Sequence, residues 1–317
     1  MLNPLNAYRF LCYTFSMDQP FVSIIVPAYN AEATMDGCIK SLLAQSYPRD
    51  RYEVLVVDNG SSDRTPDIIK SHPVRFFRET RIKSSYAARN AALPYAEGEI
   101  LAFTDSDCVA EPDWLTEGVK SFTDEKVGCA AGGIKSPPAS NYIEVYLGRK
   151  DFLSQRESYK FFDFLPFAQT ANAFYRKMVL DRIGNFKSSW KSGGDADLCW
   201  RMQLETDYKL DFNDNAVVLH NHRATLDELY RQFRTHGEGQ AYLYKAYSAH
   251  LKRYTFKQPI YILLRLFGSV LSCIGATDPA LRDMHPLARE KRLNNILFAA
   301  RTLGRIRGGI KNGIFFV

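Results

Sequence analysis

FVSIIVPAYN (residues 21–30) is a run of apolar, largely β-branched residues that stops at Pro27, Ala28, Tyr29 and Asn30. Such a run reads as a strand buried on both faces that feeds a polar loop. YEVLVVDNGSSD (52–63) repeats the design, an apolar run ending at Asp58-Asn59-Gly60, and EILAFTDSDC (99–108) repeats it again, ending at Asp105-Ser106-Asp107. VRFFRE (74–79) and VGCAAGGI (127–134) supply two further strands. Between them MDGCIKSLLAQSY (35–47), TPDIIKSH, SYAARNAALPYAEG (85–98) and DWLTEGVKSFTD (113–124) have helical spacing. Thr65 is expected to cap the second of these helices, with Pro66 at its first position, and Gly98 to close the third. Alternating strands and helices predict an α/β fold, a mostly parallel, Rossmann-like sheet with helices on both faces. Ligands of such sheets bind at the carboxyl ends of the strands. The three polar clusters would therefore form one binding rim.

The rim chemistry is that of a phosphate ester and a hard cation. Asp105 and Asp107, spaced i, i+2 after a strand, can share magnesium or manganese or divide labour between cation and ribose; alone, the same spacing is an ordinary solvated turn. Asp58 is placed to accept from a base edge or a ribose, or to make an Asx turn. Arg89 on the preceding helix reads either as an exposed charge or as a contact to a diphosphate or to the carboxylates. Further along, SGGDADLCWR (192–201) puts Asp195 at or near the start of a helix, where the dipole favours a carboxylate. Asp195 is thus a plain cap or a general base that takes a proton from an acceptor hydroxyl, and one such base suffices for single-displacement, inverting transfer. His220 and His222 alternate in VVLHNHR, so both are expected to face one site, with one of them a metal ligand or a structural histidine.

Taken in order, SIIVPAYN, VLVVDNGSSDRT, ARNAAL…GEILAFTDSD, GGDADLCWR and VVLHNHR resemble the motifs of family 2 glycosyltransferases, across about residues 20–245. The resemblance implies the GT-A fold, a UDP- or similarly activated sugar donor, a divalent metal and inversion at the anomeric carbon. It implies roles as well: Pro27 to Asn30 at the nucleotide, Asp58 at the base, Asp105 and Ser106 near the ribose, Asp107 on the metal, Asp195 as base. Two departures stand out. Gly194 occupies a position where the family usually has Glu. In LYRQFRTHGEGQ (229–240) Gln232 is kept, but Thr235 and His236 replace the Arg and Trp of a downstream motif, which argues against a processive polymerase.

Composition narrows the remainder. The chain has 317 residues, 46% hydrophobic and 24% charged, enough for a large core and too apolar for wholesale disorder. The net charge of +6 is uneven: residues 251–317 hold twelve Lys/Arg and three Asp/Glu, or +9, leaving −3 for the first 250. Within this basic part, QPIYILLRLFGSVLSCIGA (258–276) and RLNNILFAARTLGRIRGGIKNGIFFV (292–317) read as amphipathic helices. Arg265 inside the first argues against a membrane span. A face on a phospholipid surface and simple packing on the catalytic domain both fit. Six scattered cysteines make neither a disulfide framework nor a zinc site and suit a reducing cytoplasm. The expected organisation is a leader (1–19, with Met17 as an alternative start), a GT-A domain (20–245) and a helical basic region (246–317). The protein would work in the cytoplasm or at the inner face of the membrane, in cell-surface glycan or glycolipid synthesis, on a glycan, lipid-linked or protein acceptor. No nucleic-acid partner is expected, because the tail holds no recognisable nucleic-acid module and its apolar content points elsewhere. A sugar-nucleotide pyrophosphorylase would need a Gly-rich basic loop after the first strand, which SIIVPAYNAEAT lacks. A non-catalytic scaffold would be expected to have lost Asp107 or Asp195; both are present.

Overall fold

The computed structural model describes residues 19–150, 154–158, 162–251 and 257–316. The leader reading, with Cys12 and Met17, falls on residues outside these. The order of elements is β1 (Val22–Ala28), α1 (Met35–Leu43), β2 (Tyr52–Asp58), α2 (Thr65–Lys70), β3 (Arg75–Arg78), α3 (Ser85–Ala92), β4 (Ile100–Thr104), β5 (Cys108–Ala110), α4 (Trp114–Lys120) and β6 (Val127–Lys135). There follow α5 (Tyr142–Lys150), β7 (Asn172–Arg176), α6 (Lys177–Ile183), α7 (Gly194–Glu205), β8 (Lys209–His220), α8 (Leu226–Ala246), α9 (Lys257–Leu271), α10 (Asp278–Arg282) and α11 (Pro286–Asn312).

The described strands form one eight-stranded sheet in the order β3-β2-β1-β4-β7-β6-β8-β5. Strands β3, β2, β1 and β4 are mutually parallel, as the alternating pattern requires. Strand β7 then enters antiparallel between β4 and β6, and β5 pairs antiparallel with β8. The central strands are buried on both faces. Val22, Ile24 and Val26 join one apolar cluster with α1 and α4, while Ile25, Leu55 and Val57 join a second with α3, α6 and α7. Each fully buried Val, Leu or Ile stabilises the fold by about 1.5–3 kcal/mol. A third cluster joins α5, α8 and α11.

Several local expectations are corrected. The run 99–108 is two strands, because the carboxylate turn at residues 105–107 separates β4 from β5. The helix after Ser84 ends at Ala92 and not at Gly98; Pro94 cannot continue it, and Leu93–Tyr95 tighten into a 3-10 turn. Thr65 lies inside α2 rather than capping it, because its hydroxyl is used elsewhere, accepting from the Ala31 amide at 2.8 Å. That bond ties the loop after β1 to the one after β2.

The two tail segments behave differently. Helix α11 packs along α8 with backbone in contact: a Cβ on Gly237 would lie 2.0 Å from the Arg301 carbonyl, and one on Gly304 would lie 2.0 Å from that of Arg234. Helix α9 rests on α11, buries Leu266 and Ser269, and turns Tyr261, Leu264 and Phe267 outward, with Phe267 72% exposed and Ile274 exposed just beyond the helix end. Arg265, which interrupts its apolar run, folds back over the Phe298 ring of α11 at 4.1 Å. Among the described residues no helix is long and apolar enough to cross a membrane.

Candidate active site

The rim at the carboxyl ends of β1, β2 and β4 is a cavity of about 310 Å³ lined by Pro27, Ala28, Tyr29, Asn59, Ser85, Asp105, Ser106, Asp107 and Arg223. Its loops are fixed by short polar bonds. Asn30, in the left-handed region at φ 47°, accepts from the Ser62 amide through Oδ1 and donates its own amide to Ser61 Oγ, both at 2.9 Å. Asn59 donates through Nδ2 to the Glu79 and Ile82 carbonyls at 2.7 and 2.9 Å, pinning the segment that leads into α3. Asp58 is fully buried; one oxygen accepts from the Ser61 amide and the other from Arg78 Nε, each at 3.0 Å. Asp58 therefore braces the pocket from behind, and Asn59 faces it at the end of β2.

Helix α3 organises the site. Arg89 is not the exposed charge that is one reading of its helix position: it is buried at 1% exposure and ion-paired with Asp105. It reaches the rim through that carboxylate and does not line the cavity. Asn90 holds Phe186 O and Ser188 Oγ, both at 2.8 Å. Tyr86, on the same helix face, donates to Asp195 Oδ1 at 3.3 Å. The residue-by-residue reading missed Tyr86, although its spacing of three and four from Arg89 and Asn90 marks a shared helix face.

Asp195 lies in the first turn of α7, behind the left-handed Gly193 at φ 83°. Oδ1 also accepts from the Ala196 amide at 3.0 Å. Burial pushes the carboxyl above its ordinary range, against the pull of that amide, Arg89 and Tyr86. The absence of a side chain at 194 has a steric cause: a Cβ there would meet the Tyr86 ring at 2.7–2.9 Å. Tyr86 thus occupies the space into which a glutamate would project. The neighbouring Asp197 is structural, bound to Arg201 Nε and Tyr247 Oη at 3.0 Å each.

Pairing of β5 with β8 sets Cys108 opposite His220 and so brings His220 beside Asp107. His220 Nε2 lies 3.6 Å from Asp107 Oδ1, and Arg223 lies 3.3 Å from Oδ2. Asp107 Oδ1 and His220 Nδ1 are buried without a hydrogen-bond partner. His222, beyond the end of the strand, is turned to Ser136 Oγ at 2.5 Å, so the two histidines share a neighbourhood but make different contacts. Asp107, Cys108 and His220 are close enough to hold a metal ion. Burial and the flanking aspartates push the Cys108 thiol up, so it stays protonated; a hard cation would use Asp107 oxygen and His220 nitrogen. The orphaned oxygen and the donor types fit a divalent cation.

A second cavity, of about 480 Å³, adjoins the first, and Arg223 lines both. Its wall includes Asp195, His220, His222, Gln232, His236 and Arg301. Of the apolar-run cysteines, Cys38, Cys108, Cys129 and Cys199 are buried and free, and none lines either cavity.

Residues 23–184 match the family model for glycosyl transferase family 2. Glycosyltransferase AglE of Haloferax volcanii is 32% identical over 257 residues, covering 77% of this chain and 81% of that one. The chain belongs to glycosyl transferase family 2. The β-1,3-glucosyltransferase WfgD of Escherichia coli, named for UDP-Glc and an α-D-GlcNAc-diphosphoundecaprenol, is 46% identical over 99 residues, 29% of this chain and 36% of that one. In three dimensions this family 2 chain superposes on the mannosyltransferase PcManGT from Pyrobaculum calidifontis, solved with GDP-Man and Mn2+. That match has a TM-score of 0.61 and 21% identity over 94% of this chain and 92% of that one. Staphylococcus aureus TarS 1–349 with UDP-GlcNAc gives 0.50 and 19%, over 93% of each. The fold is GT-A.

Proposed function

We propose that this glycosyltransferase moves a sugar, with inversion, from a nucleoside-diphosphate sugar of the UDP type to an acceptor hydroxyl. The smaller cavity takes the donor and the larger the acceptor. The observation that carries the reading is that Asp195, a carboxylate with raised proton affinity, and His220 line the larger cavity, while Asp107, 3.6 Å from His220, lines the smaller, with Arg223 on both. Pro27, Ala28, Tyr29 and Asn59 cradle the nucleotide. Asp105, held by Arg89, lies with Ser106 at the ribose. Asp107 and His220 would hold the divalent cation, which supplies stabilisation of the negative charge on the departing diphosphate. Arg223 adds a positive charge between the two cavities. Both hydrogen bonds to Asp195 fall on Oδ1, which leaves Oδ2 to take the acceptor proton. The names of relatives that act on lipid-linked acceptors support an acceptor at a membrane. So do the outward apolar face of α9 and the +9 charge of residues 251–317, which match an anionic bilayer surface.

The test is calorimetric titration of UDP, GDP, CDP and TDP, each with manganese and with chelator, on wild type, Asp107→Ala and Asp195→Asn. UDP should bind only with metal, and Asp107→Ala should abolish that binding. Asp195→Asn should bind UDP normally and lose about 10³-fold in turnover. Near-normal turnover in Asp195→Asn would sink its role as base, and metal-independent binding would sink the cation site. Co-sedimentation with anionic vesicles checks the α9 face.

A further inference from the structure

Arg301 of α11 lines the larger cavity, and nothing in the reaction proposed above requires it. Its Nε is buried with no hydrogen-bond partner, and among the described residues no carboxylate pairs with it. The guanidinium lies over the Phe233 ring at 4.8 Å. Burial and Arg305 lower it to about 10, so it remains a cation at neutral pH. The backbone contact at Gly237 and Gly304 fixes α11 at this point, so Arg301 cannot relax into solvent without parting the two helices. The other cations of the wall are engaged: Lys150 pairs with Glu290 at 2.7 Å and Arg223 with Asp107. His236, pushed down to about 4 by burial and by both Arg301 and Arg223, stays neutral beside them. Gln232 adds an amide donor; Asp195 and Glu157 are the anionic members of the wall. Buried cations are normally paired, and a planar guanidinium suits the oxygens of a phosphate.

We propose that Arg301 holds a phosphate ester of the acceptor, so that the acceptor hydroxyl meets Asp195 while its phosphate meets Arg301, with Gln232 and Arg223 alongside. This rests on the larger cavity being the acceptor site. It makes Arg301 a specificity-determining residue supplied by the C-terminal helix, and it restricts acceptors to phosphate-bearing molecules, whether a lipid phosphate or a soluble sugar phosphate.

The experiment measures binding to the full chain with UDP and manganese saturating the donor cavity. The probes are farnesyl diphosphate, farnesol and N-acetylglucosamine 1-phosphate, and the proteins are wild type, Arg301→Gln and Arg301→Lys. A phosphate-bearing probe should bind wild type, weaken by about 10- to 100-fold in Arg301→Gln, and partly recover in Arg301→Lys. Farnesyl diphosphate binding alone assigns a lipid phosphate, and N-acetylglucosamine 1-phosphate binding assigns a soluble ester. Removing an unpaired buried cation should leave the melting temperature of Arg301→Gln equal or higher, whereas a purely structural arginine would lower it. Equal affinity in wild type and Arg301→Gln, or farnesol binding as well as its diphosphate, would overturn the proposal. UDP binding reads out the donor site separately: equal phosphate-probe affinity in wild type and Arg301→Gln, with UDP binding intact in both, refutes this inference alone, whereas failure of UDP to bind wild type refutes the donor reading.

Discussion

The two cavities meet at Arg223 but are built differently. Around the smaller, proposed donor cavity most polar side chains are matched: Asp58 with Ser61 and Arg78, Asn59 with Glu79 and Ile82, and Arg89 with Asp105, although Arg89 Nε is left without a partner. Open groups begin where the two cavities join, with Asp107 Oδ1 on the smaller side and His220 Nδ1 on the larger, and continue with Arg301 Nε in the wall of the larger, proposed acceptor cavity. Pairing holds a shape before the ligand arrives and lowers the ordering cost of binding. Unpaired buried groups cost stability in the free protein and recover it only when a ligand supplies the missing partner. On the proposed assignment the donor side is thus largely set in advance, and the acceptor side is completed by what it binds.

The largest effect on this contrast should come from Arg89→Met. It breaks the pairing behind Asp105 and should cost about 3 kcal/mol of stability, read by urea unfolding, with weaker UDP binding. A loss below about 0.5 kcal/mol, the usual range for a surface substitution, would mean that the donor side is not held by its ion pair.

His236 gives the next effect, on the acceptor side. Its proton affinity in the folded chain lies near 4 against an ordinary value of 6.5. As pH falls below 6.5 the unfolded chain gains a proton that the folded chain refuses, so stability drops until about pH 4 and then levels. Between pH 7.5 and pH 4.5 the loss is roughly 2–3 kcal/mol. Unfolding at pH 7.5 and pH 4.5 should show this difference between wild type and His236→Gln; equal acid sensitivity would remove His236 from the contrast.

The smallest effect belongs to Tyr86→Phe, which keeps the ring against Gly194 and deletes one hydrogen bond to Asp195. Turnover should fall by about 5- to 10-fold with KM little changed. The acid limb of the pH profile should move upward, because the lost bond is one that lowers the Asp195 proton affinity. An unmoved limb would show that the phenol only fills space.

The legibility of the sequence follows the same divide. β1, β2, β4 and the clusters at Asp58 and Asp105–Asp107 are read from contiguous runs, since strand burial and the loop that follows are local facts. What escaped is long-range. Burial of Arg89 depends on Asp105 and on the α7 side packing over α3. The placing of His220 beside Asp107 depends on β5 pairing with β8, which no spacing discloses. The vacancy at Gly194 is unintelligible until Tyr86, more than a hundred residues earlier, is seen lying on it. Arg301 reads as one more basic residue on an amphipathic helix until the crossing with α8 shows which way it faces.

That crossing has an evolutionary consequence. The segment that matches the family model ends at residue 184, while Gln232, His236 and Arg301 in the wall of the larger cavity all lie beyond it. Because glycine meets backbone at the α8–α11 contact, the C-terminal helix can drift in its outward side chains but not in its seat. On the proposed assignment, lineages could therefore change acceptor by rewriting a few inward positions of one helix, with Asp107, Asp195 and His220 untouched, and kinship inferred from residues 23–184 alone would group enzymes that decorate different molecules.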